Sequence, residues 1–234
     1  MMKKILQTGL VLGMIFLCGR TFGQSQGIGS EKIKADKMPE TYLDLVLNVV
    51  STNFNYGRSN SSLSDYKKST FGAQVGASFQ AGITSDFSLV SELYFIMKGG
   101  QLDASNPLTA NKTTLRFYAL ELPVLARFHF GKFYANAGPS IAYNLYGTRK
   151  MEGSTAALSF NNSGEGFRRV DAGIQMGAGY RFKIKRKSVA LDVRYTYGLS
   201  NVSHDQEMYN RYLNISLHFS KPWKTNPLAQ NRRL

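Results

Sequence analysis

The sequence predicts an all-β chain: an eight-stranded antiparallel transmembrane β-barrel, up-and-down, with a closed lumen. Three observations predict it. Long stretches alternate strictly between apolar and polar residues, the connections between them alternate long and short, and the N-terminus reads as a secretory leader. The alternation is clearest from Arg169 to Leu199. There Val170, Ala172, Ile174, Met176, Ala178, Tyr180 and Phe182 share one parity, and Val189, Leu191, Val193, Tyr195, Tyr197 and Leu199 repeat it after KIKRK. Period-2 alternation of this length means strands with one apolar face. They are long enough to cross a bilayer, which takes roughly 9–11 tilted residues per strand.

The chain has 234 residues, 43% hydrophobic, which fits one domain with short extensions. Lys3 and Lys4 precede an apolar run, Ile5 to Leu17, that is too short to anchor. Thr21, Phe22 and Gly23 suit a cleavage site, so residues 1–23 are expected as a signal peptide and 24–40 as a flexible periplasmic lead-in. The only cysteine, Cys18, allows a lipoprotein alternative, although Leu17 stands where such a signal wants a small residue. Cleavage leaves a chain without thiols, hence without disulfides, a thiolate metal site or a cysteine nucleophile. The formal charge of +14 would suit nucleic acid, but an exported chain meets anionic lipid phosphates instead. Solvated loops and tails account for the charge equally well.

Strand one is expected from Thr41 to about Phe54, with Leu43, Leu45, Leu47 and Val49 opposite Asp44, Val46, Asn48 and Val50. Strand two, Thr70 to Ile83, sets Phe71, Ala73, Val75, Ala77 and Phe79 against Gly72, Gln74, Gly76, Ser78 and Gln80. Strand three, Phe87 to Lys98, sets Leu89, Leu93, Phe95 and Met97 against Ser88, Glu92, Tyr94 and Lys98. Strand four, Thr113 to Phe130, contains Pro123, which argues for an edge or a bulge; strand five, Phe133 to Tyr146, contains Pro139, which marks another expected bulge. Strands six and seven are the hairpin above, and strand eight runs from Met208 to Phe219. The barrel thus spans 41–220, and 221–234 form a basic periplasmic tail.

Turns at 84–86, 131–132 and 183–187 alternate with loops at 55–69, 99–112, 147–166 and 201–207. Small outer-membrane barrels show this rhythm, with short periplasmic turns and long external loops on an even number of strands. Both termini then lie in the periplasm. A soluble lipocalin-type barrel would reverse the faces, placing the apolar set inside. The glycines of the polar set, Gly72, Gly76, Gly138, Gly173, Gly177 and Gly179 among them, suit a crowded interior better. Aromatics near strand ends, such as Phe71, Phe130, Phe133 and Phe219, match interfacial girdles.

The stretches LELPVLARF, YANAGPSIAYNLYG, DAGIQMGAGYRF and LDVRYTYGLSN carry a resemblance. With them the chain resembles the PorT-like outer-membrane β-barrel family of Bacteroidetes, over roughly Tyr42 to Phe219. The resemblance implies the barrel, with the interior proline of strand four as part of its pattern. It implies no single function, since some relatives serve type IX secretion and gliding.

If the apolar faces meet lipid, Asp44, Glu92, Lys98, Glu121, Arg127, Asp171, Arg181, Asp192 and Arg194 point into the lumen. An eight-stranded barrel is just wide enough for side chains to fill. The charges are expected to pair and plug it, because unpaired ones would cost several kcal/mol each. A narrow polar conduit is the alternative. Lys183, Lys185, Arg186 and Lys187 form a basic patch on a periplasmic turn, and Arg149, Lys150, Arg168 and Arg169 flank the longest external loop. Lipopolysaccharide phosphates are within reach of the latter. Catalysis would need His129, His204 or His218. Ser203, His204 and Asp205 adjoin, but neighbours in sequence seldom converge on one point. No metal-ligand spacing such as H-x-x-x-H occurs, and the G-x-G of Gly177 and Gly179 sits in a strand rather than before a helix. The expectation is a non-enzymatic protein of the bacterial outer membrane, without cofactors and with a structural or loop-mediated interaction role. Its partners are outer-membrane lipids, lipopolysaccharide and an envelope protein rather than nucleic acid. The alternatives are a small-solute conduit and a component of a secretion or envelope assembly.

Overall fold

The structure, a computed structural model, describes residues 41–164, 166–184 and 187–222. Eight long strands carry the fold: β1 (Tyr42–Tyr56), β2 (Thr70–Gly82), β3 (Phe87–Leu102), β4 (Thr113–Phe130), β5 (Phe133–Met151), β6 (Val170–Ile184), β7 (Lys187–Gly198) and β8 (Met208–Pro222). Each pairs antiparallel with its neighbours in sequence, and β8 closes on β1, with Tyr42 opposite Pro222 and Tyr56 opposite Met208. The result is a closed eight-stranded up-and-down barrel. Closure leaves no sheet edge, the condition for strands to cross lipid.

The faces follow the alternation. Leu45 is 71% and Phe71 74% exposed, while Asp44, Asn48 and Gln74 between them in the same ladders are buried. The exposed set continues through Leu93, Phe128, Ile141, Met176, Val193 and Ile215, so an apolar band surrounds the wall. A soluble monomer rarely exposes apolar patches beyond a few hundred Å². The lipocalin-type alternative, which needs these residues inside, is excluded by this arrangement.

The prolines behave differently from expectation. The β5–β6 register runs unbroken through Pro139 opposite Ile174, so no bulge lies there. Around Pro123 the β3–β4 ladder passes from Ser91↔Val124 to Tyr94↔Glu121 with its register intact. The missing N–H interrupts hydrogen bonding there without shifting the pairing. The bulge lies instead in β5, where Tyr118 pairs Tyr146 and Ala119 pairs Asn144, leaving Leu145 as the extra residue. Leu145 and Tyr146 consequently both face outward.

Several strands outrun their expected ends. β3 continues to Leu102 and β5 to Met151, where a short strand, Ser154–Ala157, folds back on it. Residues 58–66, expected as loop, form a 3-10 helix. The reason is apolar burial at the loop end of the barrel: Phe54, Tyr56, Leu102, Phe117 and Met208 point inward and gather Leu63, Leu158, Phe167 and Val202 from the loops. Each large side chain so buried contributes about 1.5–3 kcal/mol, enough to carry the ladders past the lipid. At the turn end β6 and β7 pair as far as Ile184↔Lys187, which shortens the turn expected at 183–187. β8 likewise runs into the stretch expected as tail. The signal peptide, the lead-in and residues 223–234 lie outside the described residues.

Candidate functional site

The nine charged positions expected in the lumen fall into two groups within the described barrel. In the first, nearer the turn end, Arg194 is the hub. Its Nε donates to Asp192 Oδ1 at 2.9 Å, its Nη2 to Glu92 Oε1 at 2.9 Å, and its Nη1 to Glu92 Oε2. Asp192 also accepts from Asn136 at 3.0 Å and lies 3.6 Å from Arg127 Nη2. Arg127 donates to Gln80 at 2.9 Å and lies 4.2 Å from the Tyr134 ring centroid. Asp44 lies 3.5 Å from His218 Nδ1, and His218 Nε2 lies 3.4 Å from Arg194. Arg181, half-buried at the mouth, donates to Gln80 at 3.1 Å and stacks over the Tyr42 ring at 4.2 Å.

The second group lies farther toward the loop end. Lys98 Nζ contacts Asp171 Oδ2 at 2.7 Å, and Asp171 Oδ1 accepts from Ser200 at 2.9 Å. Glu121 accepts from Gln175 at 2.6 Å and from the Tyr212 hydroxyl. The void bordered by Lys98, Glu121, Asp171 and Tyr212 is about 10 Å³, room for at most one water. Arg127 and Arg194 are each 1% exposed, so their guanidiniums fill the lumen they line. Two glycines leave them that room. A Cβ on Gly177 would stand 2.7 Å from Arg194 Cγ, and one on Gly179 would stand 2.2 Å from the Tyr134 ring.

The network also needs partners outside that charged set: Gln80, Asn136, Gln175, Tyr212 and His218. Tyr212 and His218 have the inward parity of β8, so the alternation that exposed the charges also marked them. Above both groups sits the apolar cap. Phe117 meets Phe54, Phe167 and Phe160 with centroids 5.9, 5.3 and 6.2 Å away.

The other expected positions are dispersed. Lys183 and Lys187 lie at the β6–β7 turn, while Lys185 and Arg186 fall outside the described residues. Arg149, Lys150, Arg168 and Arg169 are all exposed at the loop end; Arg169 donates to the Asn144 and Leu145 carbonyls at 3.2 and 3.4 Å. Ser203, His204 and Asp205 do not assemble. The Ser203 hydroxyl is occupied by the backbone N–H of Asp205 and of Gln206, each at 3.3 Å. His129 meets Ser88 at 2.8 Å at the turn end, far from that loop. Among the described residues no three histidine, cysteine, aspartate or glutamate side chains converge as metal ligands.

One contact staples two of the long loops. Glu207 accepts from the Ser59 hydroxyl at 2.9 Å and its N–H at 3.2 Å, and its own N–H donates to Asn60 at 2.7 Å. The Ser59 backbone and hydroxyl bonds hold the Glu207 carboxyl below the usual glutamate range. A depressed pKa contributes stability that is fully present above the ordinary value of about 4.3 and lost as pH falls through the folded value. The protection of amides in residues 58–66, measured relative to their intrinsic exchange rates, is therefore expected to fall at pH 3 compared with pH 6. In Glu207→Gln that pH-dependent fall should vanish; an equal fall in both proteins would refute the contact's role.

A family model described as an outer membrane protein beta-barrel domain matches residues 42–204. No curated protein matches the chain in sequence. Among solved structures, Ail of Yersinia pestis in complex with the heparin analogue sucrose octasulfate is similar at 10% identity, over 78% of this chain and 99% of that one, with a TM-score of 0.41. Neisserial surface protein A is 11% identical over 76% and 96%, TM-score 0.45. OprG of Pseudomonas aeruginosa is 9% identical over 80% and 95%, TM-score 0.40.

Proposed function

Because the chain belongs to the outer membrane protein beta-barrel domain family, we propose that it is a sealed, non-enzymatic barrel that acts as a structural element or through its external loops. The protein is located in the bacterial outer membrane. The observation that carries the proposal is the interior: two levels of paired charges and, above them, an apolar cap occupy the lumen from turn end to loop end. A conduit needs a continuous wet path. Here Arg127, Lys98 and Arg194 are buried in contact with carboxylates, and ions entering from outside would have to part Phe54, Phe117 and Phe167.

Lipopolysaccharide is the partner for the loop end in this reading. Lys150, Arg168 and Arg169 are exposed there, above outward Tyr143 and Tyr146, an arrangement of cations over an aromatic belt that suits lipid phosphates. Placement in the PorT-like group belongs to the same proposal and rests on the proline-containing β4 and the Gly-rich β6. Purified protein reconstituted in planar bilayers is expected to give no conductance steps. Reproducible steps would overturn the sealed barrel in favour of the conduit. A stoichiometric protein co-purifying from native membranes would favour the assembly alternative.

A further inference from the structure

We propose that the loop end carries a binding site for a small zwitterion with an apolar side chain, of the kind a short hydrophobic peptide presents. The site is a half-open cavity of about 360 Å³ bordered by the ends of β1, β3, β4 and β5 and the loop before β8. Its volume falls in the range of small-molecule sites, about 300–1,000 Å³. The inference rests on the sealed-barrel reading, because the cavity floor is part of the apolar cap.

The floor and one wall are apolar. Tyr56, Leu102 and Phe167, each below 10% exposed, belong to the cap, and Leu108, Leu115 and Met151 rise beside them. Burying an apolar side chain there supplies binding energy in proportion to area. The polar lining is of both signs. Arg149 and Asp205 both border the cavity, and among the described residues neither side chain has a hydrogen-bond or ion-pair partner. A ligand with a single charge would satisfy one of them and leave the other facing it. A zwitterion satisfies both, its carboxylate on the Arg149 guanidinium and its ammonium on Asp205.

Both groups sit on braced backbone, which reduces the ordering a ligand must impose. Arg149 lies in the ladder between Leu115 and Ala156, beside a tight turn in which Glu152 and Gly153 take φ of 42° and 82°. Asp205 is held by its N–H to the 3%-exposed Ser203, whose backbone in turn bridges Phe167.

The test uses the full-length protein folded in detergent micelles and calorimetric titration with the dipeptide Leu-Phe. The expected result is saturable one-to-one binding. N-acetyl-Leu-Phe, Leu-Phe-amide and the variants Arg149→Gln and Asp205→Asn should each weaken it at least tenfold, with heat-modifiable gel migration confirming that both variants fold. Octanoate, apolar but singly charged, should bind at least tenfold more weakly than Leu-Phe. No saturable heat, blocked peptides or variants binding as well as the originals, or octanoate matching the dipeptide would each overturn the proposal. Conductance of the same preparation reports separately on the sealed lumen, so failure of one reading is distinguishable from failure of the other.

Discussion

Replacing Arg194 by methionine is expected to lower barrel stability by about 3–5 kcal/mol, the usual cost of removing one partner of a buried ion pair. The variant keeps the volume but strips Glu92 of both its guanidinium bonds and Asp192 of its shortest one. The carboxylates would then rely on Ser78, Asn136 and the more distant Arg127. Urea unfolding in lipid vesicles, followed by the loss of heat-modifiable migration, measures the change. The double variant E92Q/R194M leaves Asp192 with Arg127 and Asn136 and removes the orphaned glutamate, so it should regain at least half of the loss. Arg194→Lys, which keeps charge but not the two-sided fork, should fall between wild type and methionine. A methionine variant as stable as wild type would show that the hub does not hold the barrel.

Removing the ring of Phe117 acts elsewhere. Phe117→Ala is expected to cost about 3–5 kcal/mol, as for other buried phenylalanines, but chiefly at the loop end. The ring is 1% exposed and joins Phe54 on β1 to Phe160 and Phe167 in the longest loop. Without it, the loops lose their common contact, while the charged levels below keep theirs. External protease should cut within residues 152–167 many-fold faster, and the protected barrel core should keep its heat-modifiable shift. Unchanged protease resistance would refute the cap as the element that orders the loops. Loss of the shift would show instead that cap and barrel melt together.

These two substitutions divide the molecule along the line where sequence reasoning ran out. The charged positions were legible because a strand turns successive side chains to opposite faces, and the polar set of β3, β6 and β7 is charged at Glu92, Asp171, Asp192 and Arg194. The cap was not legible. Phe54 and Phe117 have inward parity, but so do Val46, Val50, Ala119 and Leu125, so inward apolar character carries no sign that loops will fold over it. The 3-10 helix over 58–66 and the strand ends at Leu102 and Met151 follow from that burial rather than from local pattern. The bulge lies away from the prolines for a related reason. Proline announces a lost N–H, and at Pro139 the ladder absorbs it; the residue inserted at Leu145 has no local signature.

The sequence by itself determined the number of strands, their order and the face on which each side chain falls, because alternation is a property of the local backbone. Only the tertiary structure decided which lumen charges meet. Closing the barrel sets Glu92 beside Arg194 across 102 residues of chain, and keeps Lys98 with Asp171 in a separate level. Strand tilt and stagger, which exist only once the sheet has closed, choose those partners.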